Sequence, residues 1–383
     1  EPIENIAMSS NMMVQASVSR HAIRISNGTL VGLEDAFLTC LSVDWFGTMM
    51  ADTSLISNRQ ATMKIGPDNP ETRYHDYRRI ESESAQGQFR LITNIMPLDP
   101  MRLALCDLLL FLAFRWAVLH EQAHATHGHL NWVMKFGGAT SQELDEMELF
   151  LNDDNPELSD KKQCLELSAD ASATEALITE TLGGYHLESE AGLRYCKARE
   201  RFASDGIAYI PDMHEPLDML YLILIATGIC PLIFELGRQQ KQSQKNDRPH
   251  PIPATRLLNL FSMAVGSYAV GMGISSDQEK ISLHDIELDA FVPILRTAGM
   301  AMHELELAAK LIGLESRIYV SEILNVEQPD TSDLSGFSNI ANDFFKMFMK
   351  GSDKAILETD AGQKYQQLLF VNQDLQAALR EIQ

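Results

Sequence analysis

The sequence predicts an α+β fold that is predominantly helical, with a small N-terminal β-sheet, a helical core and a helical C-terminal region. Three observations lead there. Strand-type alternation and turn signals are confined to residues 1–98. A long apolar segment opens on Asp99-Pro100, which has the cap and first-turn chemistry of a helix start. Helix-period patterns then recur to the C-terminus, with breaks at Gly183-Gly184, Pro329 and Gly351. The chain divides accordingly into residues 1–98, 99–260 and 261–383.

Taken in order, HAIRIS, Asn27-Gly28 and TLVGL read as a hairpin, because Asn-Gly supplies the positive φ angles of a tight turn. Residues 66–87, rich in Gly, Pro, Asp, Glu and Ser, read as an exposed connection, and QFRLITNI (Gln88–Ile95) as a short strand. A helix runs from Asp99 through Phe111 and Trp116 to near Gly128. Residues 141–160 form an acidic surface patch, followed by a second helix over Lys161–Leu182 that Gly183-Gly184 ends. A third helix covers Leu217–Leu236. The polar linker GRQQKQSQKNDRP then leads to His250 and a helix from Pro253, and the pattern is helical again from Asp285.

Composition narrows the function classes. At 383 residues with 45% apolar content, the chain can bury a substantial core. A net charge of −22 and a pI near 4.8 argue against a nucleic-acid partner, which needs a basic stripe to neutralise phosphates. Five scattered cysteines without a CxxC pair read as reduced, buried thiols of a cytoplasmic protein. The start, EPIENIAMSSNMMVQAS, lacks the basic and apolar regions of a signal peptide, and its lack of an initiating Met is compatible with trimming. Leu103–Leu119 and Leu217–Leu236 approach membrane-spanning length, but Asp107, Arg115, Asp218, Glu235 and Pro231 favour core helices.

The chemistry concentrates in His120-Glu121-Gln122-Ala123-His124, an HExxH sequence late in the first long helix. Side chains four apart on a helix share a face, so two imidazoles one turn apart can converge on one zinc ion at about 2.0–2.1 Å. Glu121 is then placed to reach a water on the metal and act as general base. With 11 histidines in the chain, chance would produce this motif in roughly a few per cent of such sequences.

A catalytic zinc usually takes three protein ligands. His127 lies seven residues beyond His120, about 10.5 Å along a continuing helix, too far to share an ion. His129 could join only if the chain reversed sharply after His124, and the Gly that such a turn uses in metzincins is here His127. Both therefore read as surface groups or as supports for the ligands. The better candidate is Glu166 in CLELSADASATEAL, with Asp170 four residues on and Ser168, Ala169, Ala171 and Ala173 small enough for close helix approach. Asp170 would accept a hydrogen bond from the outer nitrogen of a ligating His. The competing reading is a solvated acidic helix face. In HPIPATR, two prolines fix the backbone around His250, which could donate to an oxyanion or simply be a linker residue.

Together, HEQAHATHGH, ELSAD and HPIPATR resemble the order HExxH(x)4H, ExxAD and HPxxxxR of the gluzincin metallopeptidases. The group includes the prenyl-protein and heat-shock membrane proteases, and the chain looks more similar to the soluble Lit-type phage-exclusion peptidases. The resemblance covers roughly residues 88–260. It implies a gluzincin-like core in which His120, His124 and Glu166 bind Zn2+, Glu121 is the base, Asp170 orients a ligand and His250 lies near the transition state. It further implies that the strand near 88–95 pairs with an extended substrate. The sequence departs from the membrane proteases in lacking clear paired spans around the motif, and its region beyond residue 260 has no counterpart. The expectation is a cytoplasmic zinc endopeptidase acting on a protein or peptide. The alternatives are a zinc-containing regulatory or toxin-like module and a membrane-embedded protease.

Overall fold

The computed structural model describes residues 5–9, 16–19, 22–43, 46, 62–64, 95–97, 100–136, 143–145, 156–183, 216–241, 253–271 and 288–312, with 367, 368, 371, 375 and 379. Helices dominate. Strands β1 (Asn5–Ser9), β2 (Ala16–Ser19) and β3 (Ala22–Ser26) are followed by helix α1 (Asn27–Leu41). A separate antiparallel pair joins β4 (Thr62–Lys64) to β5 (Ile95–Pro97). Next come α2 (Pro100–Thr126), α3 (His129–Phe136), strand β6 (Glu143–Asp145) and α4 (Pro156–Gly183). The last long helices are α5 (Pro216–Lys241), α6 (Pro253–Gly271) and α7 (Leu288–Leu311).

The larger sheet has the order β1-β3-β2-β6, with β1 parallel to β3 and the other pairs antiparallel. Alternation places Ile23 and Ile25 of β3 inside and Arg24 outside. The hairpin therefore joins β2 to β3, where the Ser19 hydroxyl accepts from the Ala22 N–H at 3.2 Å.

Asn27-Gly28 is not a hairpin turn, contrary to the sequence expectation. Ser26 is extended (φ −75°, ψ 151°) and its hydroxyl accepts the Thr29 N–H at 3.0 Å, which makes it the N-cap of α1. The apolar residues that follow Asn27-Gly28 then serve a helix buried on most of its faces, including Leu33, Ala36, Phe37, Cys40 and Leu41. Tertiary burial overrides the local turn preference. Strand β6 was also unforeseen within the acidic stretch; Glu143–Asp145 has little strand propensity and is ordered by pairing with Ser17–Ser19. Of the expected strand at 88–95, only Ile95 lies within the described residues.

The helices form one contiguous apolar core. α2 packs against α1, α4 and α5; α4 packs against α6; α5 packs against α6 and α7. Buried Arg102 donates to the carbonyls of Leu41 (2.7 Å) and Val43 (2.9 Å), satisfying the C-terminal end of α1 from the start of α2. Tyr221 of α5 donates to buried Glu304 of α7. Near the C-terminus, Leu368, Leu375 and Leu379 are buried, and the Cys164 thiol donates to the Leu368 carbonyl at 3.2 Å. Cys40, Cys106, Cys164 and Cys230 are buried, and burial together with Glu304 raises the Cys40 thiol far above its ordinary range.

Within α5, Leu217–Leu236 has a mean hydropathy of 2.1 and is long enough to cross a membrane, but 83% of it is buried against the other elements. The helix passes through Pro231 without ending. Gly228 lets α7 approach: a Cβ there would overlap the Leu305 side chain, itself fully buried. Overpacking costs about 1–3 kcal/mol, against roughly 1 kcal/mol gained in helix propensity. Gly228→Ala is therefore expected to lower stability by about 1 kcal/mol, read as a lower urea midpoint by circular dichroism. A higher midpoint would mean that Leu305 has room to move.

Candidate metal centre

Helix α2 carries a buried stripe, Leu105, Leu109, Leu112, Ala113 and Trp116, that the two histidines continue. His120 is 2% exposed and His124 5%. Helix α4 presents the matching stripe Glu166, Asp170 and Thr174, spaced by single turns and all buried. Ala169 and Ala173 beside them are small and buried, which lets α4 lie close to its neighbours. Trp116 links the helices: its indole N–H donates to Thr174 Oγ1 at 3.0 Å, and its ring lies 5.3 Å from that of His120. Farther out, Arg115 makes a two-pronged pair with Glu180 on the exposed edge of the same contact.

Three side chains converge between the helices. Nε2 of His120 and Nε2 of His124 are 3.1 Å apart, and the two oxygens of Glu166 lie 3.4 Å from one ring nitrogen each. A tetrahedral ion bonded at about 2.0–2.1 Å holds its ligand atoms roughly 3.3–3.4 Å apart. The separations of 3.1 and 3.4 Å are close to that edge length, with a different Glu166 oxygen facing each imidazole, and all three side chains are buried. His120, His124 and Glu166 thus form a group that can hold a metal ion, the one such group among the described residues. Two imidazole nitrogens and one carboxylate suit a divalent transition metal better than an oxygen-seeking cation such as magnesium.

The surroundings orient these candidate ligands. Asp170 Oδ1 lies 3.0 Å from His120 Nδ1, the nitrogen turned away from Glu166. Asp170 is fully buried and also receives two hydrogen bonds from Arg256, from Nε at 2.8 Å and Nη2 at 2.6 Å. Burial raises the Asp170 pKa, but the Arg256 charge and its hydrogen bonds, aided by His120, outweigh that and hold the carboxyl below the usual range. Three residues further along α6, buried Asn259 donates to the Leu167 carbonyl at 2.8 Å, beside Glu166.

His129 is not at the surface. It is fully buried, and its Nδ1 lies 3.0 Å from Nδ1 of His124. Its pKa is pushed down to about 3 by burial, then by His127 and His120, so the ring is neutral. His127 is half-buried, with the Ser172 hydroxyl 3.4 Å from its Nδ1, and burial lowers its pKa despite Glu175. Glu121 is 1% exposed. His250 lies outside the described residues.

The sequence reading thus placed His120, His124, Glu166 and Asp170 in one neighbourhood, and the structure brings them together. It assigned no role to Arg256 or Asn259. The available signal was Arg256 at the head of the apolar stretch RLLNLFSMAV and Asn259 within it, polar groups that must find buried partners there. No family model, no curated protein and no solved structure matches the chain.

Removing one partner of a buried, hydrogen-bonded charge pair costs about 3–5 kcal/mol. Arg256→Met should therefore lower the unfolding free energy by about that amount, measured by urea titration. A loss below about 1 kcal/mol, the range of exposed pairs, would contradict the importance given to this contact.

Proposed function

We propose that this chain is a zinc-dependent endopeptidase that hydrolyses a peptide bond in a protein substrate. One observation carries the reading: an HExxH helix whose two imidazoles face the Glu166 carboxylate at 3.4 Å, in a buried group with the spacing of a metal's ligand shell. His120, His124 and Glu166 would hold the zinc ion, which when bound would supply a water of pKa about 7 and polarise a carbonyl oxygen.

The chain's own residues divide the remaining work. Glu121, next to His120 and buried, takes a proton from the attacking water and returns it to the departing amine. Burial strengthens its charge interactions by excluding solvent. Asp170, held ionised by Arg256, faces His120 Nδ1 and keeps the opposite nitrogen available as a ligand. His250 is the proposed donor to the oxyanion.

The motif resemblance supports a gluzincin-like site and, within it, a phage-exclusion peptidase. The net charge of −22 supports a protein or peptide partner over a nucleic acid, and the four buried cysteines among the described residues support a cytoplasmic setting. A second reading, a zinc-containing regulatory or toxin-like module without constitutive cleavage, draws on the depth of the site, where Glu121, His120, Glu166 and His124 are all at most 5% exposed.

Digestion of a peptide library separates the two. Chelator-sensitive cleavage is expected of the enzyme, and zinc-loaded protein that cleaves nothing favours the module. Glu121→Gln should retain its zinc and lose roughly 10²–10⁴-fold in cleavage rate; wild-type turnover in that variant would remove Glu121 from its assigned role. Glu166→Ala should lose most of its zinc by atomic emission, and an unchanged metal content would discard Glu166 as a ligand.

A further inference from the structure

Each imidazole of the metal centre has a second ring nitrogen, and the fold treats the two differently. His120 Nδ1 faces a carboxylate, Asp170, at 3.0 Å. His124 Nδ1 faces another imidazole, that of His129, at the same distance. A ring nitrogen that binds a metal must present a lone pair, so a neutral ligating histidine carries its proton on the other nitrogen. We propose that His129 is the positioning residue of the second ligand: its Nδ1 accepts the Nδ1–H of His124 and so leaves the His124 Nε2 lone pair for the metal. This inference rests on the metal-centre reading above and adds a residue to it.

Backbone geometry supports the assignment. On an uninterrupted helix, His129 would stand about 140° around and 7.5 Å along the axis from His124, and the rings would not meet. Instead α2 ends at Thr126, Gly128 adopts φ 80°, and α3 restarts at His129, with the Trp132 N–H donating to the Gly128 carbonyl at 2.9 Å. Glycine enters that left-handed region without the penalty a side chain would incur. The break swings His129 back against His124, with ring centroids 4.9 Å apart and planes 74° from parallel.

Burial supplies a separate argument. An imidazole taken wholly out of water is costly unless its nitrogens find partners. His129 is fully buried, and its Nε2 has no hydrogen-bond partner among the described residues. Its contact with His124 is therefore what distinguishes a histidine here from an apolar residue of similar size.

The pair has two neutral proton arrangements. In the first, His124 carries its proton on Nδ1 and His129 on Nε2. In the second, His129 Nδ1–H donates to His124 Nδ1, which puts the His124 proton on Nε2 and excludes a metal from it. Zinc selects the first arrangement, and the pair neither gains nor loses a proton.

The test uses the full chain and Zn2+ alone. Competition with a chromogenic chelator measures the zinc dissociation constant, and circular dichroism checks folding. His129→Phe keeps the shape without the acceptor and should weaken zinc binding about 10–100-fold. His129→Asn, whose Oδ1 sits where Nδ1 does, should recover most of that loss, which a purely space-filling role would not require. Wild-type affinity in a folded His129→Phe overturns the inference alone. Wild-type protein that binds no zinc overturns the metal centre and this inference together. If His129→Phe fails to fold, ¹⁵N spectra of histidine-labelled wild-type protein decide. Zinc-loaded protein should show His124 protonated at Nδ1 and His129 at Nε2, and a proton on His129 Nδ1 overturns the assignment.

Discussion

The candidate metal centre depends on a buried ion pair that touches only one of its three residues. Asp170 and Arg256 are both nearly without solvent exposure, so each loses several kcal/mol of hydration. Two aligned hydrogen bonds between a planar guanidinium and a carboxylate offset that loss in only one relative orientation. Because both groups sit on helices, that orientation constrains the roll of α4 against α6. Glu166 lies one turn before Asp170, so the same constraint aims it at the histidines of α2. Asn259, holding the Leu167 carbonyl, fixes the same turn of α4 from a second point.

Close packing turns this orientation into ångström-scale placement. Ala169 and Ala173 keep α4 near its neighbours, and Trp116 occupies the angle between α2 and α4 while its N–H is satisfied by Thr174. Helix α5, apolar almost throughout, lies buried between α2 and α7 and gives the site-bearing helices a shared dry face. Its hydropathy is what a membrane span would show; its 83% burial within this fold accounts for the same composition. Charge in such an interior is confined to groups that hold one another, as Tyr221 with Glu304 and Arg102 with the end of α1 also illustrate.

The two imidazoles of the centre are unequal. His120 is backed by an anion that Arg256 keeps ionised, and His124 by a neutral imidazole that burial keeps uncharged. An anionic partner raises the basicity of a ligand more than a neutral one does. The inequality arises from a two-residue interruption of the helix at His127-Gly128, without which His129 would face elsewhere.

What the sequence determined by itself was whatever depends on helix geometry alone. His120 and His124, and likewise Glu166 and Asp170, share a face because residues four apart always do on an α-helix, so the candidate ligands were legible before any contact was known. The long helices were legible for the same reason, since their hydrogen bonds close within the segment. Contacts between distant segments were decided only by the tertiary structure. Ser26 capping and burial made a helix of what Asn27-Gly28 suggested was a turn, and β6 exists because Ser17–Ser19 offers it an edge. Arg256 acquired its role 86 residues from Asp170, and His129 came inside because Gly128 broke the helix. Such pairings depend on which surfaces meet in the packed chain, and local propensity carries no record of that.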